Sequence, residues 1–262
     1  MSKTTIKTFF IYCFSALFGS SLAFAQDQIT MEAPTEIDAV PQVIGGTPAD
    51  PEDWPATFAF SSGINACTST LVGPQVLLTA AHCVNDGAVG TVVVDGRSVG
   101  FTCSHHPSYA ADFQYDVALC LTASPIAASI QRPYETLSRD AGFPSIGNDV
   151  TLIGFGCRQP GGGGPSGSFY TGVAEFVRIN GIYLTTIGGA AVCFGDSGGA
   201  AYADLSSGSR RIVGVNSRGD ITTRSLLTPV AHHGVLSFLI GWSDANNVEI
   251  CGVSTGGTGC RP

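Results

Sequence analysis

Cys193-Phe194-Gly195-Asp196-Ser197-Gly198-Gly199 sets a serine in a glycine-rich turn, directly after an aspartate. Glycine at 195, 198 and 199 admits backbone angles that other residues resist. Such a turn can hold the Ser197 hydroxyl outward while the N–H groups of Gly195 and Ser197 converge on one point, where an oxyanion would sit. A serine hydroxyl is a weak nucleophile until a base takes its proton. The stretch therefore calls for a histidine and a carboxylate elsewhere, and without them it reads as an ordinary surface turn. Leu78-Thr79-Ala80-Ala81-His82-Cys83 supplies one histidine in a small, apolar setting, and Tyr115-Asp116-Val117-Ala118-Leu119 supplies one acid at the head of an apolar run. Taken alone, His82 would read as a satisfied buried histidine.

The three segments, in the order His, Asp, Ser, resemble those of the chymotrypsin/trypsin-like serine proteases. The resemblance runs from Val43 to about Phe238. It implies that His82 is the general base, Asp116 its orienting acid and Ser197 the nucleophile, with an oxyanion hole from Gly195 and Ser197. It also implies a fold: all-β, two six-stranded antiparallel β-barrels with the active site in the cleft between them, and a short C-terminal helix. Val43-Ile44-Gly45-Gly46 is similar to the mature N-terminus of the family, so cleavage after Gln42 is expected to free an α-amine on Val43 that pairs with Asp196. Ser217-Arg218-Gly219 matches the segment that binds substrate backbone as an added strand. The middle position is usually aromatic in the family, and Arg218 there favours acidic groups on the peptide. The position six before the nucleophile, acidic in Arg/Lys-cleaving members, is Ala191. A cationic side chain would there lose its hydration with nothing to offset the loss, so cleavage after Arg or Lys is not expected. For the far wall of that pocket the alignment leaves Ser225 and Val230 as alternatives.

The elements that must position these residues are strands. Between Val43 and Pro262, 220 residues alternate short apolar, β-branched runs with Gly/Pro/Ser/Asp turns. Runs at 56–61, 69–72, 76–79, 91–94, 117–121, 150–155, 172–179 and 211–215 have strand length and composition. Only about 235–242 has the look of a helix. His82 and Asp116 precede an expected crossing between lobes near 123–139, and Ser197 follows it.

The chain reads as a leader (1–25), a pro-segment (26–42) and a protease domain (43–262). Lys3 and Lys7, an apolar run from Phe9 to Phe18 and Ala23-Phe24-Ala25 have the pattern of an export signal cut before Gln26. The run is short for a membrane span, and the expected location is secreted, extracellular or periplasmic. Residues 26–42 carry four acids, no base and no strand or helix period, and are expected to be disordered or loosely docked. Cys13 leaves with the leader, and eight cysteines remain, an even number in an exported chain, which implies disulfides. The resemblance pairs Cys67 with Cys83 around the histidine. Cys251 and Cys260 are expected to close the tail, Cys103 and Cys120 to join neighbouring strands, and Cys157 to meet Cys193, while the sequence alone leaves that connectivity open.

From residue 43 there are ten arginines, no lysine and sixteen acids, a net charge of 10 − 16 = −6. No basic run points to nucleic acid and no basic amphipathic helix to a membrane surface. The adjacent pairs His105-His106 and His232-His233 do not place two ligands on one face, and no metal or other cofactor is expected. The partners expected are protein or peptide substrates, an activating protease and protein inhibitors, the enzyme itself being a monomer. The reading is thus a secreted serine endopeptidase working through an acyl-enzyme. A protease homologue that only binds is the alternative, and an α/β-hydrolase esterase is disfavoured because its nucleophile precedes the acid and histidine.

Overall fold

The computed structural model describes residues 29–34, 43–62, 65–129, 132–164, 166–254 and 257–262. The expected leader and Gln42 lie outside the described residues. The first strands are β1 (Ile29–Glu32), β2 (Thr47–Pro48), β3 (Thr57–Ser62), β4 (Asn65–Gly73), β5 (Val76–Thr79), β6 (Val89–Val94), β7 (Arg97–His105) and β8 (Ala118–Thr122). After a crossing come β9 (Asp149–Gly154), β10 (Tyr170–Asn180), β11 (Tyr183–Ile187), β12 (Ala200–Asp204), β13 (Arg210–Gly219), β14 (Arg224–Pro229) and helix α1 (His233–Asn246).

Side chains alternate across a strand, so one face of each can be apolar. In β6 this alternation buries Val92 and Val94. In β5 all four residues are buried, because its outer face is covered as well. The first barrel closes in the order β1-β3-β4-β5-β8-β7-β6, around Phe58, Phe60, Leu71, Leu77, Phe101 and Val92. In the second sheet β11-β14-β13-β12-β9-β10 closes through β10–β11 pairing, and β2 lies on the edge of β10. The expected double barrel is present, and its second barrel has the expected six strands.

The first barrel differs from expectation. Residues 26–42 were expected to carry no strand, yet Ile29–Glu32 form β1, the seventh strand, with Ile29 and Met31 buried. Four residues are too few for a period to stand out, and β1 owes its strand conformation to pairing with β3 and β6. The crossing is also longer than expected, filling 123–148 between β8 and β9. Helix α1 extends beyond 235–242 at both ends and stops at Asn247, which adopts left-handed backbone angles (φ 51°) suited to a C-terminal cap.

The four cysteine pairs form disulfides as expected: Cys67–Cys83, Cys103–Cys120, Cys157–Cys193 and Cys251–Cys260. Cys103 and Cys120 face each other across β7 and β8.

Candidate active site

Strand register brings His82 and Asp116 together. β5 and β8 run antiparallel with Thr79 opposite Ala118. The chain leaving β5 turns through a single 3-10 turn at Ala81–Cys83, while Asp116 stands two residues before β8 begins. Ala80 and Ala81 are fully buried, and their small side chains let that turn sit against the barrel. His82 Nδ1 lies 2.7 Å from Asp116 Oδ2, and the His82 backbone N–H donates to Oδ1 at 2.9 Å. The carboxylate holds the ring and its backbone at once.

Ser197 comes from the second barrel. It precedes β12, whose Ala200 pairs with Val215 of β13, so the serine turn lies beside the end of β13. Ser217 of β13 donates its hydroxyl to Asp116 Oδ2 at 2.6 Å. Asp116 is fully buried, and these donors offset the cost of its charge. Arg218 adds a guanidinium 4.0 Å from the same oxygen.

Thr68 of β4 fastens the serine turn to the first barrel. Its N–H donates to Ser197 O at 2.7 Å and its hydroxyl to Gly195 O at 2.8 Å. Within the turn, Gly198 has φ +83°, and a Cβ there would stand 2.2 Å from Thr79 Oγ1 and 2.3 Å from Thr68 O. No larger residue fits. Among the described residues, no acceptor is paired with the N–H of Gly195 or of Ser197.

With this geometry in view, the comparisons with known proteins decide the family. The family model described as Trypsin matches residues 43–233, well over half of the chain.

The chain belongs to the trypsin family of serine proteases.

Among its relatives is brachyurin of Leptuca pugilator, 27% identical over 184 residues, an alignment covering 60% of this chain and 80% of the relative. Another is a trypsin of Saccharopolyspora erythraea, 30% identical over 134 residues, covering 46% of this chain and 58% of the relative.

In this trypsin-family chain a cleft of about 310 Å³ opens beside the serine, lined by His82, Ser197, Val192, Phe194, Arg218 and Ile221, among others. Ser217 and Gly219 also line it. Ala191 is fully buried and exchanges two backbone hydrogen bonds with Ile44, so its neighbour Val192 carries the apolar wall. Of the two alternatives for the far wall, Ser225 lies opposite Gly219 and its hydroxyl accepts the Val192 N–H at 3.0 Å, whereas Val230, just past β14, is fully buried and donates its N–H to Val213 O at 3.1 Å. Asp220 accepts N–H groups from Thr222, Thr223 and Arg224, which ties its carboxylate to its own loop.

Asp196 is fully buried behind the serine turn. Its carboxylate accepts the N–H of Gly156 and of Cys193, each at 2.8 Å. A Cβ at Gly154 or Gly156 would stand 2.4 Å from that side chain, so both glycines are required to make room. Burial pushes the Asp196 carboxyl up to about 7, against the pull of those two N–H groups. Val43 and Ile44 are both buried, and Ile44 packs with Cys157 and Cys193, the disulfide whose Cys193 also donates to Asp196.

Among the described residues one group could bring metal-ligating atoms together, Cys67, His82 and Cys83. The two cysteines are bonded to each other and supply no thiolate. His105 and His106 diverge to the carbonyls of Val84 and Gly234.

Sequence reasoning missed Thr68, the second role of Ser217, and the lining residues Val192, Phe194 and Ile221. Val192 and Phe194 flank the cysteine of the serine motif, and that adjacency was the available signal. Nothing local marks Thr68, which matters only because β4 meets the serine turn.

Proposed function

We propose that the protein is a secreted serine endopeptidase with His82 as general base, Asp116 as orienting acid and Ser197 as nucleophile. The observation that carries this reading is the buried Asp116, gripping His82 through two atoms while His82 and Ser197 face one cleft. His82 takes the Ser197 proton as Oγ attacks the scissile carbonyl carbon. The N–H groups of Gly195 and Ser197 receive the oxyanion. The C–N bond then breaks, with the proton passing from His82 to the departing amine, and an acyl-enzyme remains on Ser197. Water, deprotonated by His82, attacks the ester and frees the acid and the serine.

The lining favours an apolar residue before the cut. Val192, Phe194 and Ile221 surround the cleft, and none of its lining residues carries a carboxylate. Ser217, Arg218 and Gly219 take substrate backbone as an added strand, and Arg218 favours acidic side chains nearby.

Activation follows cleavage after Gln42. The new α-amine of Val43 pairs with Asp196 and fixes the turn that aims the two N–H groups. In the uncut chain the Val43 nitrogen is an amide and brings no charge to this carboxylate, whose raised pKa reflects burial. The export signal supports secretion, and no helix among the described residues is long and apolar enough to cross a membrane.

The test is covalent labelling. After maturation a fluorophosphonate should modify Ser197 in the protein and fail to modify the His82→Ala variant. A matured protein that is folded but unlabelled would be a binding homologue instead.

A further inference from the structure

β1 lies upstream of the proposed cut, yet it is built into the barrel that carries His82. It stands between β3 and β6, antiparallel to the first with Met31 opposite Phe60, and parallel to the second with Met31 opposite Val92. Among the described residues β3 and β6 do not pair with each other; β1 completes the ring. Met31 is fully buried and receives the Ser69 hydroxyl on its sulfur at 3.1 Å. Ile29 is almost fully buried and lies opposite Gly90. A Cβ on Gly90 would stand 2.5 Å from Ile29 O and 2.7 Å from Ile29 Cβ, so β6 is shaped to receive this strand.

We propose that this segment stays in the barrel after cleavage, so that the mature enzyme is a two-chain, noncovalent assembly rather than a chain starting at Val43. The inference rests on the reading that the chain is cut after Gln42. A strand inside a sheet has both edges paired. Its removal strips partners from the backbone of β3 and of β6 at once and leaves the Met31 site empty. The two strands then face each other across two strand spacings, about 9–10 Å, and cannot pair unless the barrel contracts. The consequence reaches the site, because Ser69, which holds Met31, is next to Thr68, which holds the carbonyls of Gly195 and Ser197. Residues 26–42 contain no cysteine, so strand pairing and side-chain burial alone must retain the fragment. The groove between β3 and β6 is thus a binding site for an extended segment with apolar residues at alternate positions, and the chain supplies its own.

The experiment uses the full chain with Ser197→Ala and a recognition sequence for an unrelated site-specific protease inserted within 35–41. After complete clipping, size exclusion at neutral pH followed by intact mass measurement should find the upstream fragment co-eluting one to one with the body, separating only in denaturant. Met31→Asp in the same background should lower the retained fraction at least tenfold, and Glu32→Ala, on an exposed position, should leave it unchanged. Quantitative loss of the fragment in native buffer with no change in Tm would overturn the proposal. Failure of the activation reading shows elsewhere, as active protein in which residue 42 is still joined to residue 43 and no chain begins at Val43.

Discussion

Ser217, from the second barrel, donates its hydroxyl to Asp116, from the first, at 2.6 Å. The acceptor is the oxygen that also faces the His82 ring. Orientation of the histidine therefore depends on how the two barrels dock. Ser217→Ala should lower kcat about 10- to 100-fold with little change in KM, since a hydrogen bond to a charged group contributes about 1.5–3 kcal/mol. Ser217→Thr, which restores a hydroxyl, should recover most of the loss. Steady-state kinetics on a peptide amide checks both.

Ser197→Ala and Asp116→Asn should each reduce turnover by ~10³-fold or more. Ser197→Ala should also keep its unfolding temperature within a few degrees, because the hydroxyl makes no described hydrogen bond that holds the fold together. Turnover assays paired with thermal melts test this, and near-normal peptidase activity in Ser197→Ala would sink the mechanism.

Asp196 makes the uncut chain sensitive to pH. Its folded pKa is raised to about 7 from 3.8 by burial. A raised folded pKa means stability that is fully present below the unfolded value and lost as pH climbs through the folded one. Uncut protein should therefore lose stability between about pH 4 and pH 7, by an amount on the order of 4 kcal/mol for the full shift. On the proposed activation, cutting after Gln42 should bring a cation to the carboxylate and flatten that slope. Denaturant melts of Ser197→Ala protein, cut and uncut, across this range provide the comparison. Equal slopes for the two forms would rule out the ion pair.

Peptide amides with Ala, Val, Leu or Phe before the cut should be hydrolysed faster than those with Arg or Lys, given the lining by Val192, Phe194 and Ile221. Replacing Arg218 by Glu should reverse any preference for acidic residues elsewhere on the peptide. A cleavage profile on a peptide library reads both effects. A dominant preference for Arg would contradict the first and direct attention to Asp220.

Much of the site was legible because its chemistry is local. Gly195-Asp196-Ser197-Gly198-Gly199 needs glycines where backbone angles and close approaches demand them, and such demands act on neighbouring residues. Strands such as β5 and β9 were legible from short runs dominated by apolar and β-branched residues. β7, β11 and β14 were not, because their sequences mix polar residues with apolar ones and the ladder, rather than an apolar run, holds them extended.

The sequence by itself determined the order His82, Asp116, Ser197, the even count of cysteines past the expected leader, the double barrel and the lack of an acid at 191. Each follows from residue type at a position, or from the likeness that such motifs carry. Only the tertiary structure decided that β1 closes the first barrel, that Ser217 shares Asp116 with His82, that Thr68 anchors the serine turn, and that Val192 rather than Ala191 lines the cleft. Those contacts join residues some 30 to 130 positions apart. Their energies depend on strand register and barrel docking, and no short stretch of sequence encodes either.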